Sequence, residues 1–317
     1  MKRAILVSDR VEADCAEALE EAAPGVPRVV ARAGEGRPDS TGVEIAYFSG
    51  DLYPERTREF AIAALKADAL AWLHSFSAGI DNEFFQTLLR RGVRITTSSG
   101  AQAVPIAQTV MMYLLAFSRD LRGWLDAQAR RVWDARGIRD LQGCTLGVVG
   151  LGPIGLEVAR LGAAFGMRVR AVRRQPRGDE PCETWPLARL PELLAQSDYV
   201  VLALALSDET RGLIDAEALR TMRSEAVLVN IARGEIVDEP ALVVALQEGW
   251  IAGAALDVFE QEPLPEESPL WSLPNVIVTP HSSGTNPGNQ VRATEIFLDN
   301  LARYRRGEPL RNEVTPP

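Results

Sequence analysis

Apolar residues along this chain fall into two recurring patterns. Short continuous runs at 4–8, 44–48, 71–75 and 93–96 have the length and composition of buried strands. Between them, apolar residues recur every three or four positions, as on a helix with one buried face. Val11 to Ala23 is one such stretch, ended by Pro24-Gly25. Pro54 opens another at the first helical position that proline favours, running to about Lys66, and Asp81 caps a third that reaches Arg91-Gly92. A long helical segment, Pro105 to Arg119, comes next. Strands are expected again at 198–204, 226–230, 253–257 and 275–278, with helices near 189–195, 215–222 and 238–249. Ser283 to Arg306 reads as a last long helix, followed by a mobile tail, Thr315-Pro316-Pro317. Strand and helix alternate in both halves, which predicts an α/β chain of two doubly wound parallel-sheet lobes.

The densest signal runs from Thr145 to Arg174. An apolar run, Leu146 to Val149, leads into Gly150-Leu151-Gly152-Pro153-Ile154-Gly155, then a helix-like segment to Gly166 and a second apolar run, Val169 to Val172. That is a strand, a glycine turn, a helix and a strand, the context a dinucleotide-binding motif needs. Gly150 allows the tight turn, Gly152 lets the backbone approach a pyrophosphate, and Gly155 lets the helix pack on the sheet. The helix N-terminus then offers free N–H groups to the phosphates. An acid at the end of the second strand would hold the ribose 2′-OH of NAD. Here Arg173 and Arg174 stand instead, two guanidinium groups that can pair with the 2′-phosphate of NADP. NADP(H) is therefore the expected cofactor, with NAD(H) as the alternative. A tight turn without nucleotide, and solvated loop arginines, are the plainer readings of the same residues.

Composition adds exclusions. The chain has 317 residues, 46% hydrophobic and 24% charged, which is ordinary for a globular protein with room for two domains. Its net charge is −9 and its basic groups, Arg130-Arg131 and Arg303 to Arg306, are short, so no nucleic-acid partner is expected. Cys15, Cys144 and Cys182 lie far apart, which argues against a disulfide framework or a clustered metal site and fits a reducing compartment. The N-terminal apolar run is too short for a signal peptide, and no stretch approaches the ~20 residues of a membrane span. A soluble cytoplasmic protein without a membrane partner is the expectation.

The chain holds two histidines, His74 and His281. His281 follows the run Val276-Ile277-Val278, at the strand end where open sheets bind ligands, and imidazole exchanges protons near neutral pH. Arg233 and Glu262 follow two other expected strands. A carbonyl that receives a hydride needs a proton donor for its oxygen, and a carboxylate-bearing substrate needs a cation. Taken singly, Arg233 reads more readily as a surface charge and Glu262 as a solvated loop residue, and His74 as a structural or pocket-lining residue.

Four motifs in order carry a closer likeness. They are Gly150-Leu151-Gly152-Pro153-Ile154-Gly155, Asn230-Ile231-Ala232-Arg233-Gly234 with Val237-Asp238, Leu256-Asp257-Val258-Phe259 with Glu262-Pro263-Leu264, and Thr279-Pro280-His281. In these the chain resembles the D-isomer-specific 2-hydroxyacid dehydrogenases over nearly its whole length. The resemblance implies a Rossmann dinucleotide-binding domain, residues 100–283, inserted into a flavodoxin-like substrate domain of residues 1–99 and 284–317. It implies hydride transfer between NAD(P)H and a small 2-keto or 2-hydroxy acid, of the glyoxylate or hydroxypyruvate type. It places substrate binding on Arg233, acid–base catalysis on His281, and the carboxylate paired with that histidine on Glu262. Cofactor contacts fall on Gly150, Gly152, Pro153, Ile154, Gly155, Arg173, Arg174, Ala232 and Asp257, the last at the nicotinamide carboxamide. The loop Ser77-Ala78-Gly79 offers backbone N–H groups to the substrate carboxylate. The segment Leu121 to Asp140, with Trp124 and Trp133, embraces a second subunit in the family, so a homodimer is expected. Departures are Arg173 in place of an acid, Gln108 where Glu is common, and Ala205 where Pro is common. Glu262 argues against formate dehydrogenase activity, since those relatives carry Gln there. A dinucleotide-sensing corepressor-like binding protein and a phosphite-type dehydrogenase of the same fold stay open beside the keto-acid reductase.

Overall fold

The computed structural model describes residues 3–80 and 82–314 and separates into two compact units. One comprises the chain up to Gln102 together with the segment from Asn286; the other spans Ala103–Thr285.

The first unit begins with β1 (Ala4–Ser8), α1 (Asp9–Ala22), β2 (Arg28–Ala31), β3 (Val43–Phe48), α2 (Thr57–Lys66), β4 (Trp72–Ser75), α3 (Glu83–Arg90) and β5 (Arg94–Thr97). Its strands form one parallel sheet in the order β2-β1-β3-β4-β5, the flavodoxin-like arrangement. Residues pointing to opposite faces fill two cores. Leu6, Phe48, Phe60, Leu73 and Leu88 pack on one side. Ile5, Val7, Tyr47 and Trp72 pack on the other, against Phe297 and Leu301 of the chain's final helix.

The second unit contains α4 (Ala103–Ser118), α5 (Leu121–Ala129), β6 (Thr145–Val149), α6 (Pro153–Ala164), β7 (Arg168–Arg173), β8 (Glu183–Pro186), α7 (Leu190–Gln196) and β9 (Tyr199–Leu202). It continues with α8 (Ala216–Thr221), β10 (Val227–Asn230), α9 (Glu239–Gln247), β11 (Gly253–Leu256) and β12 (Val276–Val278). Seven parallel strands line up as β12-β11-β10-β9-β6-β7-β8. The strand order reverses between β6 and β9, and such a switch point opens a ligand crevice at the strands' C-terminal ends. Every residue of β6, β9, β10 and β11 is buried, so these strands read as plain apolar runs. The chain then returns to the first unit in α10 (Pro287–Arg306), where Phe297 stacks on Tyr47 at a ring distance of 4.3 Å. Among the described residues, no helix is long and apolar enough to cross a membrane.

Several boundaries differ from the sequence reading. The second helix starts at Thr57, not Pro54, because residues 50–52 form a tight 3-10 turn and Arg56 is drawn to Asp9 and Asp51 at 2.7 and 2.6 Å. Asp81, the expected cap of α3, lies outside the described residues; Asn82 caps the helix by accepting the Phe84 N–H. The final helix starts at Pro287 rather than Ser283, capped by Asn286. The tail 315–317 is also outside the described residues. The edge strands β2 and β8 carry no sequence signal of their own.

His74 is completely buried in the first unit, between Thr96 and Ser98. Trp72 Nε1 donates to Thr96 Oγ1 at 2.8 Å, which leaves that hydroxyl hydrogen for His74 Nδ1 at 2.7 Å. Ser98 Oγ donates to the Ser75 carbonyl at 2.9 Å and accepts from His74 Nε2 at 3.0 Å. This network fits a neutral imidazole, and burial pushes its pKa down to about 3. As pH falls, the unfolded chain therefore takes up the proton first. The stability His74 confers is complete above about pH 6.5 and is lost as pH falls toward the folded value; at pH 5 the loss is about 2 kcal/mol. Denaturant unfolding at pH 7 and pH 5 should show this drop in the native chain and a smaller one in His74→Gln. An equal drop in both would contradict it.

Candidate active site

The C-terminal edge of the seven-stranded sheet gathers the candidate residues of the second unit. The register pairs Val149 with Leu202, Leu202 with Asn230, Asn230 with Leu256, and Leu256 with Val278. Five strands thus end side by side. The Gly150 turn leaves β6, Arg233 follows β10, Asp257 and Glu262 follow β11, and His281 follows β12.

Gly150 turns with φ of +98°, a conformation that side chains oppose. A Cβ on Gly155 would run into the Gly150 carbonyl, so α6 reaches the turn only because that position is glycine. A Cβ on Gly152 would meet nothing within 4 Å, so the space over it is open. Pro153 stands at the head of α6, where its missing N–H costs nothing, and Ile154 packs against the core below. Beside this turn lies a groove of about 520 Å³ within the second unit. Gly150 to Gly152 form one wall and the segment Arg173 to Arg177 another. The open glycine turn, the helix N-terminus and the basic rim together fit a dinucleotide.

The arginines of that rim have acidic partners. Glu180, with a side chain only 5% exposed, takes the Arg173 guanidinium at 3.0 Å and the N–H groups of Arg177 and Gly178 at 2.6 and 2.8 Å. The Arg177 N–H in particular holds the Glu180 carboxyl below its usual range. No acid ends β7 in the sequence, yet the fold supplies one from seven residues further on. Arg174 pairs with Glu209 at 3.0 Å, and both side chains are well exposed. Arg177 also lines the groove, a residue the motif reading missed. The closeness of a third arginine to Arg173-Arg174 was its only signal.

Around the strand ends, polar bonds fix the backbone. Asn230 Nδ2 donates to the Arg233 carbonyl at 2.9 Å and its Oδ1 accepts the N–H of Ala232, a buried residue, at 3.1 Å. Arg233 itself donates to the Ala232 carbonyl at 2.7 Å. His281 Nδ1 lies 2.7 Å from Glu262 Oε2, while Glu262 Oε1 accepts the Phe259 N–H at 3.1 Å. With Nδ1 on the carboxylate, Nε2 is the ring nitrogen left to exchange a proton with a ligand. Asp257 is buried, and its carboxylate accepts from Thr279 Oγ1 at 2.5 Å and from the Ser282 and Ser283 N–H groups at 2.9 and 3.0 Å. A carboxylate has about four acceptor positions, so one remains for a carboxamide N–H.

Ser77, Ala78 and Gly79 follow β4 in the first unit. The Ser77 N–H is already bonded to Ser75 Oγ at 3.2 Å, and Ser77 Oγ donates to the Gly79 carbonyl at 3.0 Å. Of the loop's three expected donors, Ser77 is therefore engaged, and Ala78 and Gly79 carry the remaining backbone N–H groups.

The sequence pattern of the D-isomer specific 2-hydroxyacid dehydrogenase NAD binding domain matches residues 111–283. A glyoxylate reductase of Korarchaeum cryptofilum is 37% identical over 252 residues, 76% of this chain and 75% of the relative. The solved D-isomer specific 2-hydroxyacid dehydrogenase of Xanthobacter autotrophicus Py2, in complex with NADPH and MES, is 33% identical with a TM-score of 0.80, covering 99% of this chain and 98% of that one. The NADPH-dependent glyoxylate/hydroxypyruvate reductase of Sinorhizobium meliloti, in complex with NADP and sulfate, is 28% identical with a TM-score of 0.78, covering 99% and 98%. The chain belongs to the D-isomer specific 2-hydroxyacid dehydrogenase family, NAD(P)-dependent oxidoreductases that move a hydride between the nicotinamide and a 2-keto or 2-hydroxy acid.

Proposed function

We propose that this chain reduces small 2-keto acids of the glyoxylate and hydroxypyruvate type to D-2-hydroxy acids, with NADPH as the preferred cofactor. The observation that carries the reading is the 2.7 Å pair of His281 and Glu262, on the sheet edge that also bears Arg233 and the glycine turn. The bound nicotinamide supplies a hydride to the keto carbon. Arg233 holds the substrate carboxylate and polarises the carbonyl oxygen, where negative charge develops. His281 gives its Nε2 proton to that oxygen, so the carbonyl becomes a hydroxyl and the imidazole is left neutral. Glu262 stabilises the imidazolium before transfer and keeps the ring facing the substrate.

Two observations support NADPH. Arg174 and Arg177 line the groove beyond the Arg173–Glu180 pair, and the Xanthobacter and Sinorhizobium relatives were solved with NADPH and NADP. Replacing Arg174 and Arg177 together by Ala should raise the NADPH KM on the order of tenfold or more, given roughly 1.5–3 kcal/mol per charged hydrogen bond, and barely move the NADH KM. Equal effects on both cofactors would remove these arginines as phosphate readers. Turnover of glyoxylate, hydroxypyruvate and phenylpyruvate with each cofactor tests the whole reading. NADPH-linked reduction of the two small acids is expected. An inert panel with dinucleotide still bound would favour the sensing protein.

A homodimer belongs to the same proposal. Trp133 is 99% exposed, and Met112, Leu121, Trp124, Leu125 and Val132 are exposed on the same stretch of the second unit. Large exposed apolar patches mark interaction surfaces, and a second copy is the partner the family implies. Sedimentation giving the mass of one chain would remove it. Three free cysteines fit a cytoplasmic setting.

A further inference from the structure

The turn that carries His281 is held from below by a chain of hydroxyl groups that the proposed mechanism does not use. His281 has φ of +49°, a left-handed conformation that a histidine keeps only where its surroundings hold it. Asp257 supplies most of that hold. Its carbonyl accepts the His281 N–H at 2.8 Å, and its carboxylate accepts Thr279 Oγ1, Ser282 N–H and Ser283 N–H. The residues on both sides of His281 are thus bonded to one buried side chain.

Asp257 in turn has an anchor on α4. Tyr113 is completely buried, and its hydroxyl lies 2.5 Å from Thr279 Oγ1. Thr279 has one hydroxyl hydrogen, which goes to the carboxylate, so Tyr113 must donate. The direction is therefore fixed from the Tyr113 O–H to the Thr279 O–H to the Asp257 carboxylate. Burial pushes the Tyr113 phenol up to about 12, so it keeps its proton through any working pH. One helical turn earlier, Thr109 Oγ1 lies 3.3 Å from the Ser283 carbonyl, and its single hydrogen is shared with the nearer Pro105 carbonyl at 3.1 Å. Thr109 and Tyr113 share one face of α4, and of the two it is Tyr113 whose donation is committed to the turn.

From this chain we infer that Tyr113 and Thr279 are positioning residues for the reaction, setting through Asp257 where the His281 ring stands. The inference rests on His281 being the proton donor. Small displacements of a catalytic group cost large factors in rate, whereas cofactor binding at the glycine turn does not depend on this chain. Tyr113→Phe keeps the ring and removes only the donor. It should lower kcat about tenfold and raise the NADPH KM by no more than about threefold, with the thermal midpoint nearly unchanged. The glycine turn still holds the dinucleotide, and only the Asp257 contact to the carboxamide is touched. Thr279→Val should lower kcat at least as much, and Thr279→Ser, which keeps the hydroxyl, should restore most of it. Because both residues act through one chain, the Tyr113→Phe/Thr279→Val double variant should be no slower than Thr279→Val alone.

Measuring kcat and both KM values for these variants beside His281→Gln tests the inference. A native kcat in Tyr113→Phe, or a loss in Thr279→Ser as large as in Thr279→Val, would overturn it if His281→Gln is slow. A native kcat in His281→Gln would instead overturn the reading of the site on which it rests.

Discussion

His281→Gln should lower kcat for 2-keto acid reduction by about two to four orders of magnitude and leave NADPH affinity within about twofold. The size follows from what general acid catalysis contributes when a positioned proton donor is removed. Glutamine fills similar space and can hydrogen-bond, but it has no proton to give to the developing alkoxide. Its amide can still meet Glu262 Oε2, the 2.7 Å partner of His281, so the turn keeps its shape. Cofactor affinity should hold because the dinucleotide groove is built by the Gly150 turn and the Arg173 to Arg177 segment, not by the turn after β12. Initial rates give kcat, and quenching of tryptophan fluorescence on NADPH addition gives affinity. Parallel losses in the two quantities would mean that the substitution has damaged the unit, and the acid role would fall.

Arg233→Lys should lower kcat/KM for glyoxylate by about two to three orders of magnitude. Lysine keeps the charge but loses the planar fork, which can hold a carboxylate and a carbonyl oxygen together. Removing one donor aimed at developing negative charge typically costs a factor of this size. The backbone at Arg233 is fixed independently, since Asn230 Nδ2 holds its carbonyl. The substitution therefore tests the side chain rather than the turn. The NADPH KM should stay near the native value. If Arg233→Lys kept full kcat/KM, the substrate carboxylate would have to be held elsewhere.

Legibility in the sequence followed burial. Strands β6, β9, β10 and β11 are covered on both faces, so nothing interrupts their apolar runs and each stood out. The edge strand β2 is half-exposed along most of Arg28–Ala31, and β8 ends in a proline, so neither has a run to notice. The shifts in helix ends came from partners far away in the chain. Ser283 looks like helix when read locally, but its N–H is taken by Asp257, 26 residues earlier, and the helix waits for Asn286. The candidate site divides in the same way. Gly150, Arg233, Glu262 and His281 carry their chemistry in short motifs at strand ends, where sequence order and spatial order agree. Glu180 beside Arg173 and Tyr113 beside Thr279 acquire meaning only through the fold, and no local spacing announces them.

The central claim is that a hydride passes from the nicotinamide to C2 of a keto acid on this chain. NADPH deuterated at the transferred position of C4, incubated with the protein and glyoxylate, tests it directly. One deuterium on C2 of the glycolate product, matched mole for mole by NADP formed, is the predicted result. Unconsumed NADPH, or a product without deuterium, would contradict it.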